Sequence, residues 1–210
     1  MIYVFGNSHA HVFTDSEPGL PGFDLQSDLN FKSYSLGPVI AYNFHINHYK
    51  RLLTVLNNIN FDKNKDKLML IVGEVDCRWH LPHQAYSTGK NIDLVVKECI
   101  ERYYQNYTNL TNLGYQLIGW GGHPSTTGPH NDDPSNPVFG DCLTRNKISL
   151  LWNSLLEKKC LQNNIPYISI IEDLIDTNGL TKMEYFDDYC HLNYKKVKPL
   201  IENKFKNVII

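Results

Sequence analysis

Apolar residues along this chain gather into short runs, each followed by a longer segment with helical spacing. The runs at 2–5 (IYVF), 68–72 (LMLIV), 116–120 (QLIGW) and 167–171 (YISII) read as strands, and 68–72 is the clearest, a continuous apolar run of the kind a strand buried on both faces shows. A weaker fifth run covers 31–36 (FKSYSL). Between them, 39–58 carries apolar residues at mixed three and four spacing. Residues 92–113 place Leu94, Val95, Cys99, Tyr103 and Leu110 on helical spacing, with Gly114 as a C-cap. Residues 144–162 do so with Ile148, Leu151, Leu155 and Leu156, and a last helix begins near Leu192. Strands and helices alternating at these lengths predict βαβ units, a mostly parallel five-stranded sheet and the α/β class.

Two stretches break the alternation. Residues 14–30 and 121–142 are rich in Gly, Pro, Ser and Asp, and each leaves the C-terminal end of an expected strand. Open α/β sheets bind ligands at that edge, and loops of this length are usually functional or disordered. Both are therefore expected walls of a site.

The totals narrow the function classes. A length of 210 residues suits one domain spanning 1–210, and 42% hydrophobic with 20% charged residues is ordinary for a soluble globular protein. Twenty Lys and Arg against 22 Asp and Glu leave a formal charge of -2, which argues against nucleic acid or an anionic membrane as the main partner. No apolar run approaches the roughly 20 residues of a membrane span. The first run follows no basic region, so a cytoplasmic protein is expected. Five scattered cysteines without a CxxC pair suggest neither a disulfide framework nor a zinc knuckle, but free thiols in a reducing compartment.

Four groups of residues carry candidate chemistry, and each lies where an expected strand ends. Gly6-Asn7-Ser8-His9 follows the first run, with Gly6 expected to let the chain turn sharply. A serine there is a nucleophile or a helix N-cap. Near the other end, FDDYCHLN contains Asp188 and His191, whose spacing lets one turn present an imidazole with a carboxylate behind it. The same pair would also serve as a helix cap. The loop after 68–72 brings Glu74, Asp76 and Arg78, either around a substrate or as a local salt-bridge cluster. Gly37, in SYSLGP, offers a backbone N–H at a helix start.

These four groups, in this order and spacing, resemble the SGNH (GDSL-like) hydrolases. Gly6-Asn7-Ser8-His9 is similar to their first block, Gly37 to the block-two glycine, and Gly73-Glu74-Val75-Asp76 to the Gly-x-Asn-Asp block. Asp188-Tyr-Cys-His191, with the Leu-Asn that follows, is similar to the last. The resemblance implies a three-layer α/β/α, flavodoxin-like fold and ester hydrolysis or acyl transfer through an acyl-serine, with no metal and no other cofactor. It casts Ser8 as nucleophile, His191 as general base and Asp188 as its orienter. The N–H groups of Ser8 and Gly37 would form an oxyanion hole with Asp76. There the pattern departs, since the family uses an Asn amide as donor. Loss of such a donor costs roughly 10²–10³ in turnover. Asp76 would be protonated, turned into an ion pair with Arg78, or replaced as donor by Arg78 itself. The family also commonly has Asp where Asn7 stands.

Two other readings stay open. His9-x-His11 after a first strand resembles the HxH of amidohydrolase-type enzymes, and zinc sites use such ligands. Set against it, such a barrel needs more chain than this, and a structural role is the default for His11, His45, His48, His80 and His83. An SGNH-fold binding protein is the third class. For the esterase, Asn7, Glu74, Arg78 and His123 are expected to contact substrate, and Tyr42, Trp79, Tyr86 and Trp120 to offer platforms for sugar rings. The expected ligand is a small-molecule or carbohydrate ester bearing a small acyl group such as acetyl.

Overall fold

The computed structural model describes residues 1–17, 20–24, 30–126 and 138–206. Six strands form one sheet: β1 (Ile2–Gly6), β2 (Gly22–Asp24), β3 (Phe31–Ser35), β4 (Lys67–Ile71), β5 (Gln116–Trp120) and β6 (Tyr167–Ile168). Their spatial order is β2-β3-β1-β4-β5-β6, with β2 antiparallel to β3 and the other pairings parallel. The five parallel strands, counted in chain order, run 2-1-3-4-5, the flavodoxin-like order. Gly6 lies beside Ser35 on one flank and Ile71 on the other. The loops after β1, β3 and β4 therefore leave the same edge side by side.

Alternation along the strands divides the apolar residues between two faces. Tyr3, Phe5, Leu68, Leu70 and Leu117 join a cluster covered by α1 (Phe44–Asn47), α2 (Tyr49–Asn58), α4 (Ile92–Asn112) and α5 (Cys142–Gln162). Ile2, Val4, Met69, Ile71, Ile118 and Trp120 turn the other way, onto the 3₁₀ turn Ser8–Phe13 and α6 (Tyr194–Lys206). The result is the three-layer α/β/α arrangement that the patterning and the resemblance imply. Trp120 is fully committed to this second core, edge-on to Phe13, so it offers no sugar platform.

Several local expectations change. Residues 39–58 do not make one helix: Ala41–Asn43 is a 3₁₀ turn, and α1 and α2 are separated at His48. The run 167–171 pairs only over Tyr167–Ile168 before a 3₁₀ turn at Ile171–Leu174. The loop 14–30 contains the short strand β2. After β4 the chain makes a single π turn, Asp76–His80, and continues as α3 (Leu81–Thr88), whose first turn accepts Pro82. Of the stretch 121–142, residues 127–137 lie outside the described residues, as do 18–19 and 25–29 of the first loop. The five cysteines are buried free thiols, and no helix among the described residues is long and apolar enough to cross a membrane.

Candidate active site

The nucleophile-bearing turn is set by a close approach rather than by a backbone twist. A Cβ on Gly6 would lie 2.2 Å from the Ile71 carbonyl oxygen, so only glycine lets β1 and β4 run this near. This corrects the expectation that Gly6 serves to turn the chain. The turn comes one residue later, where Asn7 caps the helix: its Oδ1 accepts the His9 N–H at 3.0 Å, and its carbonyl accepts the Ala10 N–H at 3.2 Å. Asn7 is buried in that role. Ser8, the first residue of the 3₁₀ turn, is half-buried, and its N–H has no acceptor within the turn.

The loop before α6 brings Asp188 and His191 to it. Asp188 Oδ1 accepts the backbone N–H groups of Cys190 and His191, both at 2.7 Å. Its Oδ2 lies 2.8 Å from His191 Nδ1, and His191 Nε2 lies 2.9 Å from Ser8 Oγ. Partial burial raises the Asp188 pKa, but the bonds from the His191 ring and the two amides outweigh it and hold the carboxyl at about 2. An ionised carboxylate only accepts, so Nδ1 carries the proton and Nε2 presents its lone pair to the serine hydroxyl. His11 clamps the two segments together. Its Nδ1 faces the Ser8 carbonyl at 2.7 Å and its Nε2 the Leu192 carbonyl at 3.1 Å.

That clamp also corrects the HxH reading. The His11 ring is turned to the Ser8 and Leu192 carbonyls and the His9 ring to Glu74, so His9 and His11 do not converge on one ion. Burial lowers the His11 pKa, opposed by the Ser8 carbonyl.

Behind His191 lies a second, fully buried cluster. Glu74 Oε1 accepts Arg78 Nε–H at 2.6 Å, and its Oε2 accepts His9 Nε2–H at 3.1 Å. Burial alone would raise the Glu74 pKa. The Arg78 charge and the His9 bond reverse that and hold it well below the usual carboxylate range. Burial lowers the His9 pKa and drives that of His123 far down, keeping both imidazoles neutral. The His9 ring stands 4.2 Å from His123 and 5.1 Å from His191, centroid to centroid. Glu74, Arg78 and His123, expected at the substrate, thus form an inner layer braced by an ion pair.

Asp76 is a correction. It is fully buried and points away from an oxyanion, accepting the N–H groups of Ala41 at 2.7 Å and Tyr42 at 3.2 Å. It neither pairs with Arg78, which takes Glu74, nor contributes a donor. Burial pushes its pKa up to about 7 against those two N–H groups. Gly37 N–H donates to Ser35 Oγ at 3.1 Å, a bond it would exchange for one to an oxyanion.

The sequence reading missed what shapes the described start of the second loop. Arg145, fully buried on α5, donates Nε–H to Ser125 Oγ at 2.7 Å and Nη2–H to the Thr126 carbonyl at 2.9 Å. Asn146 Oδ1 accepts the Ser125 N–H, and Asn153 donates to the Gly122 carbonyl at 3.0 Å. Thr126 in turn donates to the Tyr189 carbonyl beside the Asp188 loop. The signal was a polar stripe, Arg145, Ser149 and Asn153, at one-turn spacing beside the apolar positions. Such a stripe ordinarily marks a solvent face.

A larger cavity, about 1000 Å³ including its open mouth, lies elsewhere, between α3, α4 and α5. Pro82, Ala85, Ile92, Phe139, Ile148 and Leu151 make it apolar, and Ser8, Asp188 and His191 are not among its walls.

No protein-family model and no curated protein matches this chain. Solved structures do. A GDSL-like lipase from Bacteroides thetaiotaomicron superposes with a TM-score of 0.62 at 13% identity, covering 98% of this chain and 85% of that one. An acetyl xylan esterase, AlAXEase, gives 0.58 at 18% identity over 100% of both chains. The OSK domain of Drosophila Oskar gives 0.58 at 12%, covering 97% of this chain and 87% of that one. The chain therefore has the SGNH (GDSL-like) hydrolase fold. A shared fold fixes the scaffold, while activity must be argued from the site.

Proposed function

We propose that this protein is an SGNH-type serine esterase that cleaves a small acyl group, such as acetyl, from a carbohydrate or similarly polar alcohol. The observation that carries this reading is the unbroken chain of hydrogen bonds from Ser8 Oγ to His191 Nε2 at 2.9 Å and from His191 Nδ1 to Asp188 Oδ2 at 2.8 Å. Ser8 Oγ attacks the ester carbonyl as His191 Nε2 takes its proton. Asp188 holds the productive tautomer and stabilises the imidazolium. The N–H groups of Ser8 and Gly37 receive the oxyanion. Collapse of the tetrahedral intermediate expels the alcohol, which takes the proton from His191 and leaves an acyl-serine. Water, or a second alcohol, then attacks with His191 as base, releasing the acyl product and restoring Ser8.

Asp76 lies outside this hole, so catalysis uses two backbone donors where the family adds an amide, and each donor is worth roughly 10²–10³ in turnover. An acetyl xylan esterase among the structural neighbours is consistent with a small acyl group on a sugar. The test is hydrolysis of p-nitrophenyl acetate by wild type and Ser8→Ala, each with and without EDTA. The expected result is turnover that survives EDTA and disappears in Ser8→Ala. Turnover retained by Ser8→Ala would overturn the acyl-serine route.

A further inference from the structure

His9 and His123 hold ring nitrogens that ester cleavage does not use. Both side chains are about 4% exposed. His9 gives its Nε2–H to Glu74, which leaves Nδ1 a buried lone pair with no partner. The Cys190 backbone lies beside the His123 ring, whose Nε2 is likewise buried without a partner. The two rings meet edge to face at 4.2 Å. Ligand-capable atoms of His9, Glu74 and His123 lie within 4.8 Å of one another. A small cleft, with room for about one water-sized sphere, is bounded by these three residues together with Asn7, Trp120 and Gly122.

Metal-binding imidazoles have this arrangement. One nitrogen is tied to a carboxylate or backbone group, which orients the ring and raises its basicity, and the other turns a lone pair to the ion. We infer that His9 and His123, with Glu74 as the carboxylate behind His9, form a binding site for one borderline divalent transition ion of the Zn²⁺ class. Neutral nitrogen donors suit such ions. Mg²⁺ and Ca²⁺ are disfavoured, because they require oxygen ligands and Glu74 is already held by Arg78 at 2.6 Å. The site is distinct from the HxH pair, because His11 takes no part.

The test is titration of the EDTA-treated, desalted full chain with Co²⁺, read by its visible ligand-field absorption and by metal content after dialysis. One ion per chain is expected in wild type and equally in Ser8→Ala, so binding is scored whether or not the esterase reading holds. His123→Gln should lose it. Cys190→Ser should keep it, which excludes the other nearby set, Asp188, Cys190 and His191. Imidazole NMR of the wild type during Zn²⁺ addition gives a readout independent of variant folding, with the largest shifts expected at His9 and His123. No saturable uptake below about 1 mM, loss of uptake in Cys190→Ser alone, or shifts confined to other histidines would each overturn the site.

Discussion

The Asp76 carboxylate accepts the Ala41 N–H at 2.7 Å, joining the loop after β4 to the helical start that follows β3. With the Tyr42 N–H at 3.2 Å, both of its oxygens are used on backbone 35 and 34 positions away in the chain. The residue that would repel an oxyanion instead holds together two of the loops that surround one.

Asp76→Asn is therefore expected to destabilise the protein by about 1–3 kcal/mol, with no gain in turnover. The amide keeps one acceptor but sets its NH₂ against the second N–H. The pH dependence has a definite sign. The folded pKa of about 7 lies above the ordinary 3.8, so the native state binds this proton more tightly. The corresponding stability is full below about pH 4 and is lost as pH rises through about 7. The gap in Tm between wild type and Asp76→Asn should thus narrow from about pH 5 to about pH 8. A variant as stable as wild type and faster on p-nitrophenyl acetate would return Asp76 to the oxyanion hole.

The parts that were legible in the sequence are those whose meaning is local. Four of the five parallel strands show as dense apolar runs and β3 as a weaker one, and Asp188 and His191 lie three residues apart in a turn that positions both. The Ser8 turn follows directly from where β1 ends. What was not legible depends on partners far along the chain. His9 meets Glu74 across 65 positions, and nothing local distinguishes a carboxylate that caps a distant helix from one that faces substrate. Two imidazoles separated by one residue pointed to a shared ion, yet the 3₁₀ turn sends His9 inward to Glu74 and His11 to the Leu192 carbonyl. A three-residue strand such as β2 is too short to show any period.

Arg145 supports the loop at 121–126 from inside, through Ser125 Oγ and the Thr126 carbonyl, and it also donates to the Gly140 carbonyl. Arg145→Met is expected to cost about 2–4 kcal/mol, since several buried acceptors lose their donors at once. Arg145→Lys should recover little, because an ammonium cannot reproduce the planar fork. Urea unfolding of the two variants measures this. Full recovery by Lys would mean that charge, not geometry, holds the loop.

Asp188→Asn should reduce kcat by roughly 10⁴ with a small change in KM, because the amide no longer enforces the tautomer that leaves His191 Nε2 free. In wild type the carboxyl is held at about 2 by the bonds from His191 and the Cys190 and His191 amides, which outweigh its partial burial. It therefore stays ionised across the working range, and the acid limb of kcat/KM should show a single ionisation, with none from Asp188. Its contribution to folding is present above about pH 4 and lost as pH falls through about 2. A second ionisation in the acid limb above about pH 4 would show that Asp188 is not held as the geometry requires.

Acyl length is the sharpest probe of the substrate. The apolar cavity between α3, α4 and α5 is walled by Pro82, Ile92, Phe139 and Leu151 and does not include Ser8, His191 or Asp188. The cavity adjoining the Ser8 turn is instead bounded by Asn7, His9, Glu74 and His123. A longer acyl chain on the serine would gain about 0.8 kcal/mol per CH₂ if it entered an apolar wall, or roughly fourfold in kcat/KM per carbon. With polar groups around the turn, that gain should be missing, and kcat/KM should stay level or fall from p-nitrophenyl acetate through butyrate to octanoate. A rise approaching fourfold per carbon would show that the chain reaches the apolar cavity and would replace the small-acyl reading with a lipid-type substrate. Ile148→Asp would then check the route, since a charge in that wall should abolish the gain on octanoate and leave acetate unaffected.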